Sequence, residues 1–451
     1  MRELPRYKLA VGDQLIYHLA GERSVGSAAH GGGGNGGRPS GYSIDWNFHV
    51  VACDATGAWR LVFAERRGQL RDGAAVVHGA HTLDMDGFID IWNDGRLAEN
   101  WTIMPLADPT AIFPRLPADR AQIAAGWDST LQLDGTVRRY RAAGAEPAPG
   151  EAGWRFVADC HTELDAVYRS SRQRQYTFDL NRGLVSDVTT SLRRGLAGDS
   201  QAAAYAESIR LVDVLQRPNA AGGRASQEAD RYFAACAEYQ RLIDLAFWEL
   251  RHSSRWLEEA GEALQQFEAT AGVDFLLDMA RRKLALHNRE RDSMLADAER
   301  LAPFVDKPAP DWRAADLEGN VHALNGYRGN GVVLCFWSTA CSWSLRTLLA
   351  LDALAGELRG QPVAFLGVSA DTNVEAAGFA WQMMKMRFPT ILDGSGSNAI
   401  AQSYGVDGHP TTVVIDLSGV IRRIRAGYSH QLSSLLRQEL LGLVSPAVCL
   451  P

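Results

Sequence analysis

Long apolar runs are missing from this chain: no stretch approaches the ~18 residues that a membrane-crossing helix needs. Cysteine is scarce, with six in 451 residues (Cys53, Cys160, Cys236, Cys335, Cys341 and Cys449), which excludes a disulfide-built scaffold. None of the six forms a CxxC or CxxH pair, so zinc fingers and ordinary dithiol redox motifs are excluded as well. These thiols are expected to be mostly reduced and buried. Positive charge is not in excess: the formal net charge is −7, which argues against a non-specific nucleic-acid binder. Lysine is confined to Lys8, Lys283, Lys307 and Lys385 among 46 basic residues, a bias read as genome composition. The opening MRELPRYKLAVGDQLIYHL lacks a charged segment followed by an apolar core, so no signal peptide is read. The expected location is therefore cytoplasmic, or extracytoplasmic if the true start lies upstream.

What is present is an ordinary globular composition, 46% hydrophobic and 22% charged, in a chain too long for one core. The fold class expected is multidomain: an N-terminal antiparallel β domain, a central helical hairpin and a C-terminal α/β domain. Residues 1–217 carry period-2 alternation in LIYHL (15–19), YSIDWNFHVVA (42–52), WRLVFAE (59–65) and IRLVDVL (209–215). Turn signals DATG (54–57), NDG (93–95) and LDGT (133–136) separate such runs. The tract HGGGGNGG (30–37) reads as a loop, since it lacks a phosphate-loop lysine and a following helix. Trp46, Trp59, Trp92, Trp101, Trp127 and Trp154 are assigned to packing ahead of a carbohydrate or peptide groove. DMDGFIDIWNDG (84–95) fails the EF-hand spacing and reads as a hairpin. The function of this domain stays open.

Residues 225–302 switch to helical periodicity. Tyr232, Cys236, Tyr239, Ile243, Ala246, Leu250, Leu257 and Leu264 form one stripe, which predicts a long helix with Cys236 buried on it. Gly272 breaks the pattern, and Asp274 is a candidate N-cap for a second helix ending at Leu301. His252 and His287 have no second ligand at metal-site spacing and are read as surface residues. The arginines at 281, 282, 289 and 291 read as a solvated face. Residues 303–446 alternate strand and helix: VVLCFW (332–337), LRTLLALDALAGELR (345–359), VAFLGVS (363–369), TTVVID (411–416), the edge strand VIRRIRA (420–426) and a closing helix from Leu432.

This last part resembles a thioredoxin-fold redoxin of the TlpA/ResA type, in the AhpC/TSA-like superfamily. The resemblance rests on landmarks in the family's order: PAPD (308–311), DLEG (316–319), FWSTAC (336–341), VAFLGVSAD (363–371), FPTILD (388–393) and YGVDGHPTTVVID (404–416). It implies a nucleophile at Cys341, delivered by a strand to a helix N-terminus. Unpaired N–H groups and the macrodipole favour negative charge there, and the thiolate is the nucleophile. It also implies that Pro410 is cis and lies against the thiol, with His409 facing it. An imidazolium at His409 would favour the thiolate.

The family's second cysteine is Ser344 here, giving CSWS, and a serine cannot resolve a mixed disulfide. The acidic residue that many relatives carry three positions later is Thr347, and the tryptophan that often precedes the first cysteine is Ala340. Cys335 lies too far along its strand to bridge to Cys341. Cys449 reads as a free tail thiol. The candidate catalytic set is thus Cys341, Ser344, His409 and Pro410, with no cofactor or metal. The resemblance implies a thiol-disulfide oxidoreductase working through mixed disulfides on protein or small-molecule thiol or disulfide substrates. Its reductant would be an external thiol or a thioredoxin-like partner, with no nucleic acid and no membrane span. Two alternatives stay open. One is a non-catalytic binding module that keeps the redoxin groove. The other is a thiol peroxidase, for which Ser338 fits the hydroxyl position but Leu334 occupies the proline position.

Overall fold

The computed structural model describes residues 3–24, 40–72, 75–77, 86–98, 109–133, 136–148, 152–162, 171–194, 203–217, 223–393 and 398–444. The glycine tract at 30–37, Trp101 and Cys449 lie outside them. The chain packs as two compact units. One holds Met1–Gly195, Asp199–Ala235 and Gln266–Lys283; the other holds Cys236–Gln265 and Leu284–Pro451.

Among the described residues, the first unit is built on one large antiparallel sheet of eleven strands. The strands run in spatial order Ala75–Val77, Trp59–Asp72, Ser40–Cys53, Asp13–Ser24, Ala203–Gln216, Leu184–Arg194, Ser171–Asp179, Gly153–Thr162, Thr136–Pro147 and Trp127–Leu133. Asp86–Ile91 also pairs with Trp59–Asp72. The alternation read in the sequence puts Leu15, Tyr17 and Leu19 on the same buried face as Trp46, Phe48, Val50, Leu61 and Phe63. Phe113, from the segment after the short helical turn Pro109–Ala111, meets Tyr7 and Phe48 edge-on at 5.6 and 5.1 Å. Trp46 and Trp127 are buried in this cluster, as the packing assignment expects. The turn NDG needs its glycine: Gly95 has φ 79°, and a Cβ there would collide with the carbonyl oxygen of Pro114.

The central region is helical but has three α-helices, Gly223–Trp248, Ser253–Glu268 and Asp274–Leu301. The apolar stripe predicts one helix through Leu264. Instead the chain tightens into a 3-10 turn at Leu250–His252 and restarts. The buried Ser253 hydroxyl engages the carbonyls of Ala246 (2.5 Å) and Leu250 (2.8 Å), and the Ser253 N–H also donates to the Leu250 carbonyl, so this residue closes the break. Asp274 opens the last helix as its first residue. Glu228 serves the donors ahead of it, accepting from the backbone N–H of Gly272 at 2.7 Å and of Val273 at 2.6 Å. Cys236 is half-buried rather than buried. His287 is not a surface residue: it is 2% exposed, packs edge-on against Tyr239 at 5.5 Å, and burial lowers its pKa. His252 is exposed, as expected.

The second unit contains a five-stranded mixed sheet in the order Thr390–Leu392, Val363–Ser369, Gly331–Trp337, Thr411–Ile415, Ile421–Ala426. Gly331–Trp337 runs parallel to Val363–Ser369 and antiparallel to Thr411–Ile415. Every residue of Gly331–Trp337 is buried, which is why its sequence is an unbroken apolar run. Helices Ser342–Glu357, Val374–Met384, Ala399–Ser403 and Leu432–Val444 complete the domain, a thioredoxin-like fold. Its core also takes in Leu250, Ala298 and Leu301, which cluster with Leu334, Phe336, Val413 and Ile424. Among the described residues no helix is long and apolar enough to cross a membrane.

Candidate active site

Strand register brings the functional loops together. Trp337 stands opposite Ser369, and Phe336 opposite Thr411, so the chain leaves the first strand beside the end of the second and the start of the third. The segments 338–341, 370–373 and 408–410 therefore meet at one end of the sheet. From Trp337 the chain makes a short turn and enters helix Ser342–Glu357, with Cys341 as its N-cap residue at φ −107° and ψ 108°. The Cys341 carbonyl accepts from the N–H of Ser344 at 3.0 Å, while its own N–H donates to the Ser338 carbonyl at 3.1 Å. The sulfur is thus held at the helix N-terminus, where backbone dipoles favour an anion.

The second wall is the turn before Thr411–Ile415. The His409–Pro410 peptide is cis, and the Cys341 thiol donates to the carbonyl oxygen of His409 at 3.4 Å. The Pro410 carbonyl is occupied by the N–H of Gly427 at 2.8 Å. The structure brings Cys341, His409 and Pro410 together, but through the His409 backbone. Burial lowers the imidazole pKa below its ordinary value, and the charges of Asp371 and Asp407 oppose that shift only partly. Its Nε2 is buried without a hydrogen-bond partner among the described residues. A neutral ring at neutral pH cannot supply the imidazolium field that the sequence suggests.

Ser344 is fully buried one helical turn after Cys341, its hydroxyl receiving the N–H of Ser338 at 3.4 Å. Thr347 is also fully buried, and its hydroxyl has no hydrogen-bond partner among the described residues. Cys335 is buried in the central strand, and burial pushes its thiol up to about 12, far from a reactive range. None of the five described cysteines is in a disulfide. No group of His, Cys, Asp and Glu suited to holding a metal occurs among the described residues. A residue to which the sequence assigns no role also enters the site: the Asp371 carboxylate grips Ser338 and Thr339, three and two residues ahead of Cys341. The only sequence signal was an acid closing the VAFLGVSAD strand.

Residues 305–424 match the AhpC/TSA family. The thiol-disulfide oxidoreductase ResA of Geobacillus thermodenitrificans is 34% identical over 130 residues, covering 29% of this chain and 73% of that protein. The thioredoxin-like protein YneN of Bacillus subtilis is 31% identical over 121 residues, covering 26% of this chain and 69% of that one. A crystal structure of a putative thiol:disulfide interchange protein DsbE from Chlorobium tepidum aligns with 31% of this chain and 98% of its own, at 22% identity and a TM-score of 0.30. Through its C-terminal domain, this chain belongs to the ResA-type redoxins of the AhpC/TSA family.

Proposed function

We propose that the C-terminal domain is a thiol-disulfide oxidoreductase that works through a single nucleophile, Cys341. The observation that carries this reading is the pairing of a thiol on the helix's N-cap residue, 3.4 Å from the carbonyl before Pro410, with a buried serine at the resolving position. The Cys341 thiolate attacks one sulfur of a substrate disulfide. That S–S bond breaks, the leaving thiolate takes up a proton, and a mixed disulfide with Cys341 remains. An external thiolate then attacks the substrate sulfur and releases Cys341 as thiolate, so the external thiol ends oxidised in a new disulfide. Ser344 cannot take the resolver's part, and Cys335 is sealed in the strand.

The peroxidase alternative loses its support at Ser338. That hydroxyl donates to Asp371 at 2.9 Å and accepts from the N–H of Ala340 at 3.2 Å, so its one proton is committed away from the thiol.

Insulin reduction with a dithiol donor tests the proposal. Wild type turns over slowly. Ser344→Cys raises the rate by about tenfold or more, because an intramolecular thiol acts at high effective molarity. Equal rates for the two proteins, or wild-type turnover that survives loss of Cys341, contradict the single-thiol route.

A further inference from the structure

Asp371 sits just past the end of strand Val363–Ser369, and its carboxylate is engaged almost wholly by one short turn of chain. Oδ1 accepts from the hydroxyls of Ser338 and Thr339, both at 2.9 Å. Oδ2 accepts from the Thr339 N–H at 3.0 Å and from the fully buried Ser369 hydroxyl at 2.9 Å. The turn is closed on itself as well. The Ala340 N–H donates to the Ser338 hydroxyl at 3.2 Å, and the Cys341 N–H to the Ser338 carbonyl at 3.1 Å. Hydrogen bonds to an ionised acceptor are roughly twice as strong as neutral ones, so this is a stiff anchorage.

The sheet does not depend on it. Trp337 and Ser369 are already in register, and the Ala370 N–H donates to the Trp337 carbonyl at 2.9 Å. What Asp371 adds begins at Ser338, where the ladder ends, and finishes at Cys341. From these contacts, and resting on the exchange reading above, we infer that Asp371 is a positioning residue for the nucleophile. It fixes the Ser338–Cys341 turn so that the Cys341 sulfur meets an incoming disulfide along its S–S axis. Thiol-disulfide exchange requires the attacking sulfur in line with the bond that breaks, and misplacement by about 1 Å can cost two orders of magnitude. Alkylation by a small freely tumbling reagent makes a much weaker demand on direction.

The test compares two rate constants for Cys341 in the full-length protein, one for glutathione disulfide and one for iodoacetamide. Both are taken on the alkaline plateau where the thiolate is fully formed, with the adduct mapped by mass spectrometry. Asp371→Ala should lower the ratio of exchange to alkylation by about tenfold or more. Asp371→Asn, which keeps a carbonyl acceptor in the same place, should restore most of it. A folded Asp371→Ala protein with the wild-type ratio overturns the inference. If that variant does not fold, Ser338→Ala combined with Thr339→Val removes the two hydroxyl donors, and an unchanged ratio there overturns it equally. A wild-type protein that takes up no glutathione at Cys341 contradicts the exchange reading itself and removes both claims. A wild-type adduct with unchanged ratios in the variants contradicts the positioning role alone.

Discussion

The thiol of Cys341 lies 3.4 Å from the carbonyl oxygen of His409, so it meets the backbone of that residue and not its ring.

The His409 ring therefore has little leverage on the thiol at neutral pH. Its pKa lies below the ordinary 6.5 because of burial, leaving the imidazole uncharged there. His409→Ala and wild type should give superimposable Cys341 alkylation profiles above pH 6.5. A midpoint displaced to higher pH in the variant would show that an imidazolium persists beside the sulfur.

Acid should destabilise the protein through two histidines. Burial lowers the pKa of both His287 and His409, so each is neutral in the fold and takes up a proton more readily when unfolded. The unfolded chain then binds more protons, and stability rises with pH in that interval. Their contribution is complete above about pH 6.5, the unfolded value, and is lost as pH falls through the lower folded values. Urea titrations across pH 7 to 5 should show the midpoint falling, and His287→Gln should flatten that slope. An equally steep slope in the variant would remove His287 from the account.

The buried ion pair between Arg425 and Asp244 makes the helical region part of the redoxin unit's stability. Their side chains are 3% and 2% exposed and meet at 2.5 Å. Removing one partner of a buried pair costs about 3–5 kcal/mol, because the remaining charge stays desolvated. Asp244→Ala should therefore lower stability by roughly 3 kcal/mol in denaturant titration. A fragment of residues 303–451, the domain boundary suggested by the proline-rich PAPD segment, lacks Asp244, Leu250, Ala298 and Leu301. It should melt well below a fragment of residues 236–451. Equal melting temperatures for the two fragments would show that the redoxin core is complete without the helices.

Much of this architecture is legible in the sequence because burial and composition coincide. The run from Val332 to Trp337 is apolar throughout because both faces of that strand are covered, and the neighbouring strand is buried likewise from Phe365 to Ser369. The β domain shows itself by alternation: Leu15, Tyr17 and Leu19 are buried while Ile16, His18 and Ala20 between and after them are only partly so. What stayed hidden depends on partners distant in the chain. Leu250, Leu257 and Leu264 keep helical spacing straight through the break at Leu250–His252, so periodicity alone cannot detect it. His287 falls on the stripe of Met294, Ala298 and Leu301, but a polar side chain reads as surface unless its aromatic neighbour Tyr239 is known. Asp371 grips residues more than thirty positions upstream, a pairing that only the parallel strand register creates.

The most direct measurement is mass spectrometry of the folded, full-length protein after exposure to glutathione disulfide, with peptide mapping of every cysteine. The single-thiol account predicts one glutathione adduct at Cys341, reversed by added thiol, with Cys335 and Cys160 unmodified in their buried sites. A folded protein that stays unmodified at Cys341, or that takes the adduct only at the exposed Cys53, would contradict it and leave a binding module in its place.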